Sequence, residues 1–317
     1  MDALRARVRE ARMAQTLEVL SRRTASMEGI RSIVHTMKTL SVINSAPYEH
    51  AARAIESYHE TILLGLHALL SQIGPLESSS SAARTKVLIV FGSDHGLCGS
   101  YNEVLASHVA EQLVDASQQT IVLCVGAQMA DALRDQRLAP ETTFFPPASV
   151  DGIGRLANLL TRHLDDMRRD HGTDDVAVSL AYFTRDGNKG QRPEVIALLP
   201  LDRDLVQELQ TKPWVSRSLP AFSMPPTTLF QALIRNHLFA SMFRAAAEAL
   251  VTENAARLAL MSQAEQSVDD RLDALMSETR SMRQSEITTE LLDVIIGFEA
   301  LKKNRHSKTA LPKKESN

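Results

Sequence analysis

The chain has 317 residues, of which 44% are hydrophobic but only 4% aromatic, and a net charge of -3. So few aromatic side chains argue against a purely compact core and favour long helices rich in Ala, Leu, Met, Arg, Glu and Gln. Two cysteines, Cys98 and Cys124, exclude a disulfide framework and fit a reducing compartment.

The N-terminus alternates charged and apolar residues (Asp2, Arg5, Arg7, Arg9, Glu10), so it does not read as a signal peptide. No stretch reaches the roughly 20 apolar residues that cross a bilayer. An intracellular protein is expected, with any membrane association made through partners. Charge is uneven. Residues 1–38 hold eight Lys/Arg against four Asp/Glu, and Leu301–Asn317 holds six Lys/Arg and one Glu. Basic ends suit acidic partners or a solvated tail. Sparse aromatics and no recognition module argue against a nucleic-acid platform.

Residues 1–75 read as a first stalk helix, whose first 70 residues are interrupted only by Gly29, Pro47 and Gly65. Its apolar residues recur at Ile30, Ile33, Val34, Met37, Leu40 and Val42, then at Ile55, Ile62, Leu63, Leu66 and Leu69. Pro47 lacks an N–H and costs about 3 kcal/mol inside a helix, so a bend or break is expected there. Residues 76–85, with the preceding Gly74-Pro75 and the run Ser78–Ser81, read as a linker.

Residues 86–215 change pattern. Apolar runs at 86–92, 120–125, 176–183 and 194–199 alternate with helical patterns at 101–116, 127–137 and 151–171. Strands alternating with helices of this length predict a parallel, doubly wound sheet. Asp186-Gly187-Asn188 offers turn chemistry for an antiparallel edge hairpin.

From Thr227 to Ile296 there are 70 residues without Gly or Pro. As one helix they would span about 105 Å, far beyond an ordinary domain. A stalk helix over 226–300 is expected, started by Pro225-Pro226 and stopped by Gly297. A narrow apolar stripe (Leu238, Met242, Ala245, Ala249, Ala256, Ala259, then Val268, Leu272, Leu275, Met282) reads as a coiled-coil seam interrupted by Gln263, Gln266 and Thr279. The N-terminal helix is the economical antiparallel partner. The tail, 301–317, reads as basic and disordered. The expected fold is an antiparallel two-helix stalk from the two ends of the chain, with an inserted Rossmann-like α/β domain.

Sites of chemistry are scarce. Gly92-Ser93-Asp94-His95-Gly96-Leu97-Cys98-Gly99-Ser100-Tyr101-Asn102 follows a strand and enters a helix, where a phosphate would bind. It lacks both the Lys-Ser/Thr of a P-loop and the GxGxxG spacing of a dinucleotide site. A tight structural turn at Gly96, Cys98 and Gly99, packed against a neighbouring subunit, is favoured. Gly152-Ile153-Gly154-Arg155-Leu156-Ala157 matches GxGxxA by letter only. No CxxC, HExxH or clustered His pair occurs, so no metal, cofactor or catalytic site is expected. The charges at Arg280, Arg283, Glu286, Glu290 and Asp293 read, taken alone, as a solvated face.

Three strings carry a family resemblance. Arg283-Gln284-Ser285-Glu286-Ile287-Thr288-Thr289-Glu290-Leu291-Leu292-Asp293-Val294-Ile295-Ile296-Gly297 closely resembles the RQxxITxELxEIxxG string of ATP synthase gamma subunits. The central turn is similar to that family's SDRGLCGGFN. Arg23-Thr24-Ala25-Ser26-Met27, with Ile33–Leu40, is similar to its RIxSVxxTxxITxAMxMV. The order and separations agree over roughly residues 17–300.

The resemblance implies a non-catalytic rotating shaft of an F-type enzyme, one copy per complex. It implies partners in the alpha and beta subunits, the epsilon subunit and the membrane c ring, on the cytoplasmic face of a bacterial inner membrane. It places Met37 near the beta-subunit levers, and Arg283, Ile287, Thr288, Glu290 and Asp293 at the shaft tip.

Departures include Pro47, His95 in place of an Arg, about 15 extra residues at the start and a basic extension at the end. They point to an alternative bacterial F-type enzyme, with the sodium-linked N-type set as one home for it; the c ring decides the ion. No dithiol insert is present, so thiol regulation is not expected. A free-standing coiled-coil scaffold and a nucleotide-binding enzyme are the competing readings.

Overall fold

The computed structural model describes residues 2–73, 85–113, 120–170, 176–186, 190–214, 216–218 and 220–309, with 2–14, 170 and 300–309 as backbone alone. In chain order the elements are α1 (Asp2–Ile73), β1 (Thr85–Phe91), α2 (Tyr101–Leu113), β2 (Thr120–Val125), α3 (Ala127–Asp135), β3 (Thr142–Phe144), α4 (Asp151–Asp170), β4 (Val176–Arg185), β5 (Gln191–Leu199), α5 (Arg203–Thr211) and α6 (Pro226–Thr309). Two very long helices at the ends of the chain enclose an inserted α/β segment. By packing, the chain divides into one unit of residues 1–36 with 262–317 and a second of residues 37–261.

In the second unit the sheet order is β3-β2-β1-β4-β5. Strands β1, β2, β3 and β4 pair in parallel, and β5 returns antiparallel to β4. The central strands are apolar on both faces because both faces are covered. Val87, Ile89 and Phe91 of β1 pack into one core with α4 and the adjoining parts of α1 and α6. The alternate residues Leu88 and Val90 join Leu105 and Val109 of α2 and Met129 and Leu133 of α3 in the other. The doubly wound reading holds, with one difference: one layer is supplied largely by the long helices themselves. The Asp186-Gly190 end of the hairpin closes through an N–H of Asp186 donating to the Gly190 carbonyl at 2.8 Å. Gly187 and Asn188, like the linker at 74–84, lie outside the described residues.

Helix α1 is not broken at Pro47 but runs through it. Pro47 stands on the exposed side, so the carbonyl freed on the preceding turn can be hydrated, while Tyr48, Ala51 and Ala52 anchor the next turn in the core. Gly297 does not stop α6 either, which continues to Thr309. A helical Gly costs only about 1 kcal/mol, and Phe298–Lys303 beyond it are compatible with helix. The stretch 301–309, expected as disordered tail, is therefore helical backbone; 310–317 lie outside the described residues.

In the first unit the two helices run antiparallel. Arg31 meets Asp269 at 2.7 Å and His35 meets Glu265 at 3.0 Å, so four steps up one helix match four steps down the other. One row of buried and half-buried positions on α6 runs through Glu265, Val268, Leu272, Leu275, Thr279, Met282, Glu286 and Thr289, alternately three and four apart, with half-buried Ser262, Ala264 and Asp269 beside it. On α1 they fall at Leu17, Leu20, Thr24, Met27 and Val34 in the same heptad phase. A 3.5-residue repeat is the geometry of a coiled-coil seam. Gln263 and Gln266, expected to interrupt it, face outward instead, and Ala259 is exposed.

Candidate functional site

The turn after β1 is built from its own polar side chains. The backbone N–H of Ser93 donates to Asn102 Oδ1 at 3.0 Å, and Asn102 Nδ2 donates back to Ser93 Oγ at 2.7 Å. Leu97 and Gly99 take positive φ of 65° and 66°, the left-handed conformation that favours glycine at the second position. Cys98 is buried with its Sγ 3.5 Å from Ser93 Oγ, and burial pushes its thiol up. It is a small packed residue rather than a nucleophile. Cys124, on β2, is pushed up to about 12 by burial.

The crevice where a doubly wound fold would take a phosphate is filled by the chain itself. Asp94 Oδ1 accepts the N–H of Ala127 at the start of α3, at 3.0 Å. Gly126, with φ of 106°, brings the neighbouring turn so close that an added Cβ would lie 2.4 Å from the Ser93 carbonyl oxygen. A carboxylate thus already holds the helix N-terminus, and two backbones close the space.

The turn is also fastened to α6. Arg257 reaches the carbonyl oxygens of His95 and Gly96 at 3.4 Å each, and Glu253 at 2.6 Å. Both side chains are about nine-tenths buried, and the Nε of Arg257 has no partner among the described residues. One residue along, the Tyr101 hydroxyl meets Thr252 Oγ1 at 3.0 Å and the Ala249 carbonyl at 3.1 Å. The packing expected against another subunit is thus made, in part, by this chain's own helix. Outward from the turn, Leu97 and the His95 side chain are exposed.

Sequence reasoning missed Glu253 and Arg257 because an acid-base pair four apart reads as a solvated face. Its signal was position: both interrupt an otherwise small and apolar stretch. His59 and His237 were missed too. Their Nε2 and Nδ1 atoms lie 3.0 Å apart, joining α1 to α6. Burial lowers both, His237 to about 4 with His59 as second cause, so the pair is neutral near pH 7.

Of the predicted partner residues, Met37 is half-buried on α1. On α6, Arg283, Ile287, Thr288, Glu290 and Asp293 are all exposed. Helical spacing sets Arg283, Ile287 and Glu290 along one line, with Thr288 and Asp293 to either side. Thr288 Oγ1 donates within the helix to the Gln284 carbonyl at 2.8 Å. Around them lie Leu291, Leu292, Val294, Ile295, Ile296 and Phe298, every one exposed, Phe298 at 71%. So long a run of uncovered large apolar side chains is uncommon on a protein surface. Among the predicted turn residues, Gly297 belongs to helix, as described above.

A family model described as ATP synthase matches residues 16–301. Similar curated proteins are gamma chains of that enzyme. One from Bartonella henselae is 24% identical over 303 residues, covering 90% of this chain and 99% of the relative. One from Mycolicibacterium smegmatis is 27% identical over 309 residues, covering 91% and 99%. The chain belongs to the ATP synthase gamma-subunit family. Two solved structures share its fold. One is from the Euglena gracilis mitochondrial ATP synthase rotor, with a TM-score of 0.59 at 14% identity, covering 86% of this chain and 99% of that one. The other, from the same enzyme's OSCP/F1/c-ring, has a TM-score of 0.61 at 15% identity over 96% and 99%. Against the gamma-family model, residues 2–15 and 302–309 are additional helical backbone. Among the described residues no helix is long and apolar enough to cross a membrane.

Proposed function

We propose that this gamma-family chain is the rotating central shaft of an F-type ATP synthase, transmitting torque between the membrane sector and catalytic sites on other subunits. The observation that carries the reading is the family match along residues 16–301 on an architecture of paired long helices around an inserted α/β segment. Segments 1–75 and 226–300 act as the shaft, and 86–215 as its foot. Alpha and beta subunits surround the helices, while the epsilon subunit and the c ring hold the foot. The complex sits on the cytoplasmic face of a bacterial inner membrane, and this chain is present once.

The physical argument for coupling is differential contact. A shaft biases the binding states of surrounding subunits only if it touches them unequally. Here α6 presents Arg283, Ile287 and Glu290 on one line, an apolar surface at Leu291, Ile295 and Phe298, and the seam toward α1. Turning it exchanges those faces before any one partner. Met37 on α1 is the corresponding contact for the beta-subunit levers, while the Gly96–Gly99 turn belongs to the foot.

Native mass spectrometry of complexes drawn from gently solubilised membranes by a tag on this chain tests the reading. One copy with three each of two larger subunits and a c ring is expected. A bare homodimer would overturn it and favour a coiled-coil scaffold.

A further inference from the structure

The outer hairpin of the sheet meets α1 and α6 differently from the rest of the second unit. Most of that face is sealed by apolar packing. Beside the hairpin, however, a groove of about 500 Å³ remains, lined by Glu56, Tyr182, Arg185, Glu194, Arg244 and Glu248.

Two guanidinium groups bridge the groove. Arg185 ends β4 and grips Glu248 of α6 with two parallel bonds, Nε to Oε2 at 3.0 Å and Nη2 to Oε1 at 2.8 Å. Its third nitrogen lies 3.6 Å from Glu49 of α1. Arg244 of α6 reaches Glu56 of α1 at 3.4 Å and lines the same groove as Tyr182 of β4. Arg185 therefore ties strand, α1 and α6 together, and Arg244 adds a second tie between α6 and α1 beside the strand.

We infer that Arg185 and Arg244 are positioning residues that carry load from the α/β domain into both long helices, a role that rests on the shaft reading. Apolar packing resists separation but is poorly directional. A forked guanidinium–carboxylate pair fixes angle as well as distance, which is what a joint under twist requires. The contacts are partly exposed, so single pairs contribute little to resting stability. Their loss is expected to show under load more than in a melting curve. Being bathed in solvent, the joint also weakens as salt screens it.

The test uses the assembled complex in membrane vesicles, comparing ion pumping per ATP hydrolysed for Arg185→Gln, Arg244→Gln and the double variant. The expected result is intact subunit composition, retained hydrolysis and a pumping ratio lowered about threefold in the double variant, less so at high salt, where the native joint is itself screened, on the scale of a partly exposed ion pair. Exchanging the charges, Arg185→Glu with Glu248→Arg, is expected to recover part of the ratio; Arg185→Lys, which keeps charge but loses the fork, is expected to fall between. An unchanged ratio in the double variant overturns the inference. So does an equal loss in Arg134→Gln, whose partner Asp131 lies on its own helix. Complexes that never contained this chain would instead overturn the shaft reading.

Discussion

Tyr101 of α2 and Thr252 of α6 meet hydroxyl to hydroxyl at 3.0 Å in a fully enclosed site. The Tyr101 ring stacks on Phe183 with centroids 4.5 Å apart, so a strand, a domain helix and the long C-terminal helix converge at one side chain. Thr252 has further acceptors in the Glu248 and Ala249 carbonyls. Tyr101→Phe should therefore cost only about 1 kcal/mol, whereas Tyr101→Ala should cost about 4 kcal/mol. Urea unfolding of the full chain reads both, and equal losses would show that the hydroxyl, not the ring, holds the contact.

Behind the turn, Arg257→Met leaves the buried Glu253 carboxylate without its cation. A loss of about 3 kcal/mol is expected at neutral pH. Burial, the largest influence, already raises the Glu253 pKa, against the pull of Arg257. A raised folded-state value means full stability below the unfolded carboxylate range and loss as pH climbs through the folded value. Without Arg257 that loss deepens, so the variant's deficit should shrink toward pH 4. Adding Glu253→Leu should recover part of it, and a deficit that is flat with pH would contradict the account.

The histidine pair works in the opposite sense. His237 is depressed to about 4, chiefly by burial and then by His59, which is itself lowered mainly by burial. A depressed folded value gives stability that is complete above the unfolded value of about 6.5 and lost as pH falls toward about 4. Groups facing His59 include Arg244, Glu56 and Glu60. Urea midpoints should therefore drop between pH 7 and pH 4.5 more steeply in the native chain than in a His59→Phe, His237→Phe double variant. Parallel curves would exclude the pair as the source.

Glycine replacements should separate strain from openness. Gly126→Ala combines a φ of 106° with a Cβ 2.4 Å from Ser93 O and should cost upwards of about 2 kcal/mol. Gly99→Ala meets no atom within 4 Å but keeps a φ of 66°, so about 1 kcal/mol is expected. Gly96→Ala has open space and no positive φ, and should be close to neutral. Thermal melts of the three variants rank them.

These side chains mark the limits of what the sequence discloses. The strands β1, β2 and β4 were legible because a covered sheet demands unbroken apolar runs, and the 70 residues without Gly or Pro made α6 plain. Strand β3 was not legible, since three half-buried residues, Thr142–Phe144, carry no periodicity. Helix α5 was passed over although Asp202 caps it by accepting from the N–H of Asp204. Pro47 and Gly297 misled because propensity is a local cost that packing or flanking helix can outweigh. At the candidate site, family motifs located the turn and the tip residues. They could not show that Arg257, Glu253 and Tyr101 join that turn to α6 from about 150 residues away in the chain, because such pairs exist only after folding.

At the α6 surface, Ile287 and Leu291 are 64% and 59% exposed, so their replacement by Asp should change the isolated chain's stability by less than about 0.5 kcal/mol. Coupled ATP synthesis by the assembled enzyme should nevertheless fall, because each charge would enter the covered apolar contact. Arg283→Ala with Glu290→Ala should lower it as well. Unchanged synthesis in both sets would remove the tip from the machinery.

Rotation itself is open to direct observation. Phe145 is 71% exposed on the α/β domain, while Cys98 and Cys124 are buried, so a Phe145→Cys variant offers an accessible thiol for a fluorescent rod. With the catalytic hexamer fixed to glass and ATP supplied, the shaft reading predicts that the rod turns continuously in one sense. A rod that stays still while the same labelled complexes hydrolyse ATP would contradict it.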